Sequence, residues 1–178
     1  MDASRDLPLM MNKQNTACFT GHRHLPTERI DEIIKKIDHV IAILHRAGYR
    51  YFVCGGALGF DMLAEQRILH AAEQGLDVKL VLALPCRDQT LNWNGVDGVD
   101  MIREYQRIKG LASAIYYIEN FYTSDCMKRR NASMVEISSF CTAYYNGNFR
   151  SGAGQTFRMA EKAGLKIYNI FDVVGKSE

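Results

Sequence analysis

Three observations predict an α/β layer fold with a mostly parallel sheet. Short apolar runs alternate with segments of helical period from residue 16 to about residue 170. The run at 78–84, Val-Lys-Leu-Val-Leu-Ala-Leu, is almost continuously hydrophobic. That suits a parallel strand covered on both faces. No repeat, low-complexity tract or linker interrupts the alternation. At 178 residues the chain is expected to form one domain over 16–174, preceded by a loose arm over 1–15.

The elements follow in order. Thr16-Ala17-Cys18-Phe19-Thr20 reads as a buried strand that ends in Gly21-His22-Arg23-His24. Pro26 blocks backward extension of the next helix and Thr27 is its expected N-cap. Ile30, Ile33, Ile34, Ile37, Ile41 and Leu44 form that helix's apolar stripe, and Gly48 stops it. Residues 50–54 make a second strand, followed by a glycine loop and a helix that ends near Gly75. The third strand, 78–84, closes at Pro85. Residues 86–100 are rich in Asp, Asn and Gly and have little periodicity, so their organisation stays open. A helix over 101–112, a strand over 114–118 and a loop over 119–124 come next. In the segment from Cys126 to Ile137, Met127, Met134 and Ile137 fit one buried face. A fifth strand over 140–145, a helix carrying Phe157, Ala160 and Ala163, and a last strand over 166–170 complete the chain.

The stretch Cys54-Gly55-Gly56-Ala57-Leu58-Gly59-Phe60-Asp61 lies between a strand and a helix. Its glycines permit positive φ and close approach to bare amides. The first amides of a helix lack intrahelical partners and carry the positive end of its dipole, so a phosphate suits them. A tight turn that binds nothing is the alternative. Two more loops have similar chemistry: Thr20-Gly21-His22-Arg23 after the first strand, and Ser151-Gly152-Ala153-Gly154-Gln155-Thr156 after the fifth. Parallel strands share one carboxyl-terminal rim, and ligands bind where the strand order reverses. Strand order 4-3-2-1-5-6 would bring the three loops together.

Neither glycine loop has the G-x-G-x-x-G spacing, and there is no G-x-x-x-x-G-K-[ST]. A dinucleotide-dependent dehydrogenase and a P-loop NTPase therefore lack support. Asp61 is either an acid in a first helical turn, favoured by the dipole, or an acceptor for ribose hydroxyls. Arg23 is either exposed or a phosphate clamp. His22 and His24 have no acid or thiol at a zinc-site spacing, and no metal is expected. Lys128-Arg129-Arg130 reads as a solvated helix face. Tyr116, Tyr117, Tyr144 and Tyr145 read as strand packing residues, with base stacking as the alternative.

Composition is that of a soluble globular protein, 47% hydrophobic and 24% charged. A net charge of +2 gives no argument for nucleic acid or an anionic membrane as partner, and neither is expected. The five cysteines are scattered and form no C-x-x-C pair, which points to reduced thiols and a cytoplasmic protein. The first fifteen residues read neither as a signal peptide nor as an anchor.

Together, Gly21-His22-Arg23, the 55–61 loop, Arg130-Asn131 with Met134-Val135, and Asn146-Gly147 through Gly154 resemble the YpsA-like group of bacterial proteins. That group is related to the Smf/DprA and LOG proteins of the SLOG superfamily. The resemblance runs from Thr16 to about Val174. It implies a Rossmann-like fold and a nucleotide-like or ADP-ribose-like ligand at the rim, with no cofactor. The implied ligand residues are Gly21, His22, Arg23, Gly55, Gly56, Ala57, Gly59, Asp61, Arg130, Asn131, Asn146, Gly147, Ser151, Gly152, Gly154, Gln155 and Thr156. The LOG relatives release a base from a nucleoside monophosphate and carry Gly-Gly-x-Gly-Thr-x-x-Glu. Here Ser151, Gln155 and Arg158 replace the first glycine, the threonine and the glutamate. Asp61 is the rim acid left for such chemistry. A nucleotide sensor or regulator is thus the leading reading. A phosphoribohydrolase or N-glycosidase using Asp61, and an interaction module with a vestigial pocket, are the alternatives; homo-oligomerisation is left open.

Overall fold

A computed structural model describes residues 4–94 and 96–174. Residues 1–3 of the expected arm, and Gly95 within the 86–100 stretch, lie outside the described residues. Six strands form one parallel sheet: β1 (Thr16–Gly21), β2 (Tyr51–Cys54), β3 (Lys79–Leu84), β4 (Ala114–Tyr117), β5 (Phe140–Tyr144) and β6 (Lys166–Asn169). Their order is β4-β3-β2-β1-β5-β6, as expected from the loops. The chain steps outward from β1 to β4, then crosses back to place β5 beside β1. The reversal of direction therefore falls between β1 and β5.

Helices cover both faces, and strand periodicity divides the core accordingly. Ala17, Phe19, Phe52, Leu80, Leu82 and Leu84 face α1 (Ile30–Arg46), α2 (Phe60–Glu73) and α3 (Val96–Leu111). Their alternates Cys18, Tyr51, Val53, Val81 and Ala83 face α4 (Cys126–Glu136) and α5 (Gly152–Lys162). Fully burying side chains such as Phe19, Ile33 and Leu82 contributes about 1.5–3 kcal/mol each. Among the described residues no helix is long and apolar enough to cross a membrane.

Several expectations need correction. Thr27 is not an N-cap: Thr27–Arg29 is a single 3-10 turn after Pro26, and α1 begins at Ile30. The open 86–100 stretch contains a 3-10 turn, Gln89–Asn92, and the start of α3, which begins earlier than residue 101. Met127 is partly exposed, at the edge of a cavity, whereas Met134 is buried. From Ser4 on, the N-terminal arm is tied to the sheet edge: Arg5 forms an antiparallel bridge with Ile115 in β4, and its guanidinium donates to the Ala112 carbonyl at 2.5 Å. All five cysteines are buried and unpaired.

Candidate functional site

The carboxyl ends of β1, β2 and β5 open into a cavity of about 560 Å³, at the reversal of strand order. The loop after β1 contributes Gly21, His22 and Arg23, and the loop after β2 contributes Ala57 and Asp61. The far wall holds Asn146, Ser151, Gly152 and Gln155. Helix α4, which carries the chain back across the sheet, adds Arg130 and Asn131.

The glycines make this convergence possible, mostly by permitting close packing. Gly59 has φ +82°, and a Cβ there would lie 2.1 Å from the Arg23 carbonyl oxygen. The Phe60 amide accordingly donates to the His22 carbonyl at 3.1 Å and locks α2 to the β1 loop. A Cβ on Gly55 would lie 1.8 Å from Arg130 Nη1 and 2.8 Å from Asp61 Oδ2. The absence of a side chain is what lets the guanidinium lie across the loop and donate to the Gly55 carbonyl.

The first glycine loop does not offer its amides to a ligand in the expected way. The Gly55 amide donates to Asp61 Oδ2 at 3.2 Å, and the Gly56 amide donates to Glu65 Oε1 at 2.9 Å. Gly56 is turned toward the core, where an added Cβ would meet Leu84 Cδ2 at 2.4 Å. Its carbonyl accepts from Gln89 Nε2 at 2.6 Å. Carboxylates of α2 thus occupy the place that an external phosphate would take in a bare loop. Gly55, Gly56, Gly59, Gly147, Gly154 and Thr156 shape the loops and lie outside the cavity lining. A Cβ on Gly154, for example, would lie 2.6 Å from the Asn148 carbonyl oxygen.

Helix α5 presents its first turn differently. Ser151 is its N-cap, with Oγ accepting from the Gly154 amide at 2.9 Å. Gly152 and Ala153 carry the other amides of that turn, and both residues line the cavity. Arg130 is 7% exposed and lines the same cavity. Its Nε donates to Asn131 Oδ1 at 2.8 Å, and Asn131 Nδ2 donates to Gln155 Oε1 at 3.4 Å. The charge run is therefore not a uniform solvated face. Lys128 and Arg129 are exposed, Arg129 pairs with Glu119 and Asp125, and Arg130 turns inward.

Asp61 is 5% exposed in the cavity wall. Burial pushes its carboxyl up to about 6, although the Arg130 charge and the amides of Gly55, Ala57 and Gly21 pull it down. Glu65, one helical turn further in, is 0% exposed. Burial, then the charge of Asp61, raises it well above the ordinary carboxylate range, against the Gly56 amide and the Arg130 charge that lower it. Burial also holds the His22 imidazole below its ordinary value, against a hydrogen bond with the Asn146 side chain that raises it. Its Nε2 accepts from the Asn146 amide at 3.0 Å, which requires that nitrogen to be bare. Among the described residues no group of three or more His, Cys, Asp or Glu side chains is arranged to hold a metal ion.

Sequence reasoning missed part of the lining. Thr20, His24, Leu58, Gln89, Trp93, Met127 and Ala153 also face the cavity. Gln89 and Trp93 come from the aperiodic 86–100 stretch, where a lone tryptophan between two asparagines was the available signal. None of the four tyrosines lines the cavity: Tyr144 stacks on Phe60, Tyr145 packs at a tilt against Phe157, and Tyr116 shares a hydrogen bond with Ser133. Arg158 is exposed and donates to the Phe149 carbonyl at 2.7 Å.

No protein-family model and no curated protein matches the chain. Solved structures do match in fold. DNA processing protein A from Helicobacter pylori, whose structure is described for its single-stranded DNA binding mode, has 18% identity and a TM-score of 0.58. DNA processing protein A from Streptococcus pneumoniae has 14% identity and a TM-score of 0.62. The alignments cover 87% and 90% of this chain, which spans 64% and 53% of the length of those two proteins. The structural-genomics target TM1055 has 14% identity and a TM-score of 0.50, over 86% of this chain and 72% of that one. These likenesses overturn the exclusion of nucleic acid as a partner, since a fold neighbour is described by its binding of single-stranded DNA. The small net charge does not restore the exclusion. It sums over the whole surface, whereas Arg23 and Arg130 stand together in the cavity wall. The chain thus has a Rossmann-like fold similar to that of DNA processing protein A.

Proposed function

We propose that the chain is a member of the SLOG superfamily, close to its YpsA-like group, and that its rim cavity binds a nucleotide through phosphate. One observation carries the reading: the Arg130 guanidinium and the open first turn of α5, at Gly152 and Ala153, border the same cavity. A planar cationic fork beside helix N-terminal amides suits phosphate oxygens. The volume, about 560 Å³, lies within the range of small-molecule sites. Phosphate sits at α5 in this reading, because Asp61 and Glu65 engage the amides of Gly55 and Gly56. Asp61 faces the sugar, while Leu58, Trp93 and Met127 supply apolar surface for a base. The reading places the protein in the cytoplasm, supported by its five unpaired thiols.

A second reading has a specific observation behind it. Phe121 and Tyr122 after β4, and Phe149 after β5, are exposed on the same rim, and the Arg150 guanidinium lies 5.6 Å from the Phe149 ring centroid. Exposed aromatics with cations are a platform for single-stranded nucleic acid. In that case the nucleotide in the cavity is one unit of a strand. Both readings share a nucleoside phosphate at α5.

Thermal-shift titration with AMP, ADP-ribose, NAD and a short single-stranded oligonucleotide tests both. Stabilisation by the free nucleotides favours the first reading. Stabilisation by the oligonucleotide alone, weakening steeply with salt, favours the second. No shift with any of them refutes phosphate recognition and leaves the interaction module.

A further inference from the structure

The cavity wall contains more acid than an anion site needs. Asp61 and Glu65 are four residues apart on α2, so their carboxyls share one face of the helix. Both are buried, and the cation nearest them is Arg130 from α4. Other groups with charge or a titratable proton also face the pair. The thiol of Cys54 at the end of β2 senses Asp61, Glu65 and Arg130, and the thiol of Cys141 in β5 senses Asp61. From α3, Glu104 acts on Glu65, and Glu65 acts on the Tyr105 hydroxyl. His22 and Arg23 line the cavity from the β1 loop.

Ionisation of Glu65 is disfavoured by its surroundings. Its Oε1 accepts from Gly56, its Oε2 has no hydrogen-bond partner in the structure, and neither oxygen reaches solvent. A negative charge there would leave one buried oxygen without a partner, which disfavours ionisation of Glu65. Asp61 then remains as the ionised member, held by Arg130 and the Gly55 amide. An anion arriving beside Arg130 competes with Asp61 for the same guanidinium. Two anions would then share one buried cation in a low-dielectric wall.

Resting on the reading of the cavity as a phosphate site, we propose that an anionic ligand enters together with a proton, which is taken from the buffer onto the Asp61 carboxylate while Glu65 keeps its own. The site thus selects its ligand as an anion plus a proton. Affinity falls as pH rises, by up to about tenfold per pH unit above roughly 6.

The test is calorimetry of the full chain near neutral pH in two phosphate-free buffers of different ionisation enthalpy. The probes are ADP-ribose, NAD and an oligothymidylate. Their phosphates carry no second proton to titrate near neutrality, unlike a phosphomonoester with its pKa near about 6. The expected result is an apparent enthalpy that changes with the buffer, corresponding to uptake of roughly half a proton or more per bound ligand. Asp61→Asn abolishes that uptake, and His22→Asn retains it. Binding with the same enthalpy in both buffers overturns the inference and leaves the phosphate reading standing. Uptake that survives Asp61→Asn and vanishes in His22→Asn overturns it in favour of the imidazole. Failure of all three probes to bind refutes the phosphate reading and this inference with it.

Discussion

Replacing Asp61 with asparagine should make the protein more stable at alkaline pH than at acid pH, relative to the parent chain. Asp61 has an ordinary value of 3.8 and is raised to about 6 in the fold. A group raised in the folded state contributes stability that is fully present below its unfolded value and is lost as pH rises through its folded value. The window here runs from about 4 to above 6. At 1.36 kcal/mol per unit, the shift from 3.8 to about 6 corresponds to about 3 kcal/mol. Asparagine is neutral throughout and keeps an oxygen able to accept from the Gly55 amide, so it avoids this loss. Lost attraction to Arg130 acts in the opposite direction, but burial is the larger influence. Urea unfolding at pH near 4.5 and near 8 measures the effect. The difference in unfolding free energy between variant and parent should move by about 2 kcal/mol in the variant's favour between those pH values. That is a midpoint change of roughly 1–2 M. A pH-independent difference, or one that moves the other way, would refute the idea that Asp61 is held in the wall against its own solvation.

Gly55→Ala should displace the Arg130 guanidinium, because its Cβ would lie 1.8 Å from Nη1. Losing that charge-assisted hydrogen bond costs about 1.5–3 kcal/mol in urea unfolding. Gly152→Ala is the matched control: nothing lies within 4 Å of its Cβ, and helix propensity favours alanine by up to about 1 kcal/mol. Equal destabilisation of the two would count against the packing account of Gly55. Gly56→Val should destabilise strongly, since its φ is +66° and its Cβ would meet Leu84 Cδ2 at 2.4 Å. We expect about 2–5 kcal/mol from overpacking and backbone strain together, read as a urea midpoint; a variant as stable as the parent chain is the contrary outcome. Arg158→Glu restores the glutamate of the LOG motif in sequence but, at an exposed position outside the cavity lining, should not confer release of base from AMP. Chromatography of the reaction products decides this, and free adenine would contradict it.

The sheet was legible because its signals are local and repeated. Each strand is a short apolar run, each helix has its own stripe, and the shared rim of the loops after β1, β2 and β5 required β5 beside β1. Arg130 shows what charge and spacing alone did not carry, although the family resemblance had placed it among the ligand residues. The segment Lys128-Arg129-Arg130 reads as a charged surface, and only the crossing of α4 over the β2 loop turns one of its members inward. Gly56 misled for a related reason. A glycine loop ahead of a helix advertises bare amides, yet Asp61 and Glu65 reach back from α2 to engage them. That contact depends on the rotation of α2 about its axis, which periodicity constrains too loosely. Gln89 and Trp93 were missed because their loop has no period at all. Net charge misled about nucleic acid because a total carries no position.

The most direct measurement is a calorimetric titration of the parent chain and of Arg130→Gln with AMP, ADP-ribose and a short single-stranded oligonucleotide. Urea unfolding of both proteins runs alongside, because Arg130 also holds the Gly55 carbonyl. Saturable binding of at least one phosphate-bearing ligand is predicted. In Arg130→Gln that affinity should fall about 10–150-fold, the equivalent of roughly 1.5–3 kcal/mol. Absence of binding up to millimolar ligand, or equal affinity in a folded Arg130→Gln, would contradict a phosphate site between Arg130 and α5.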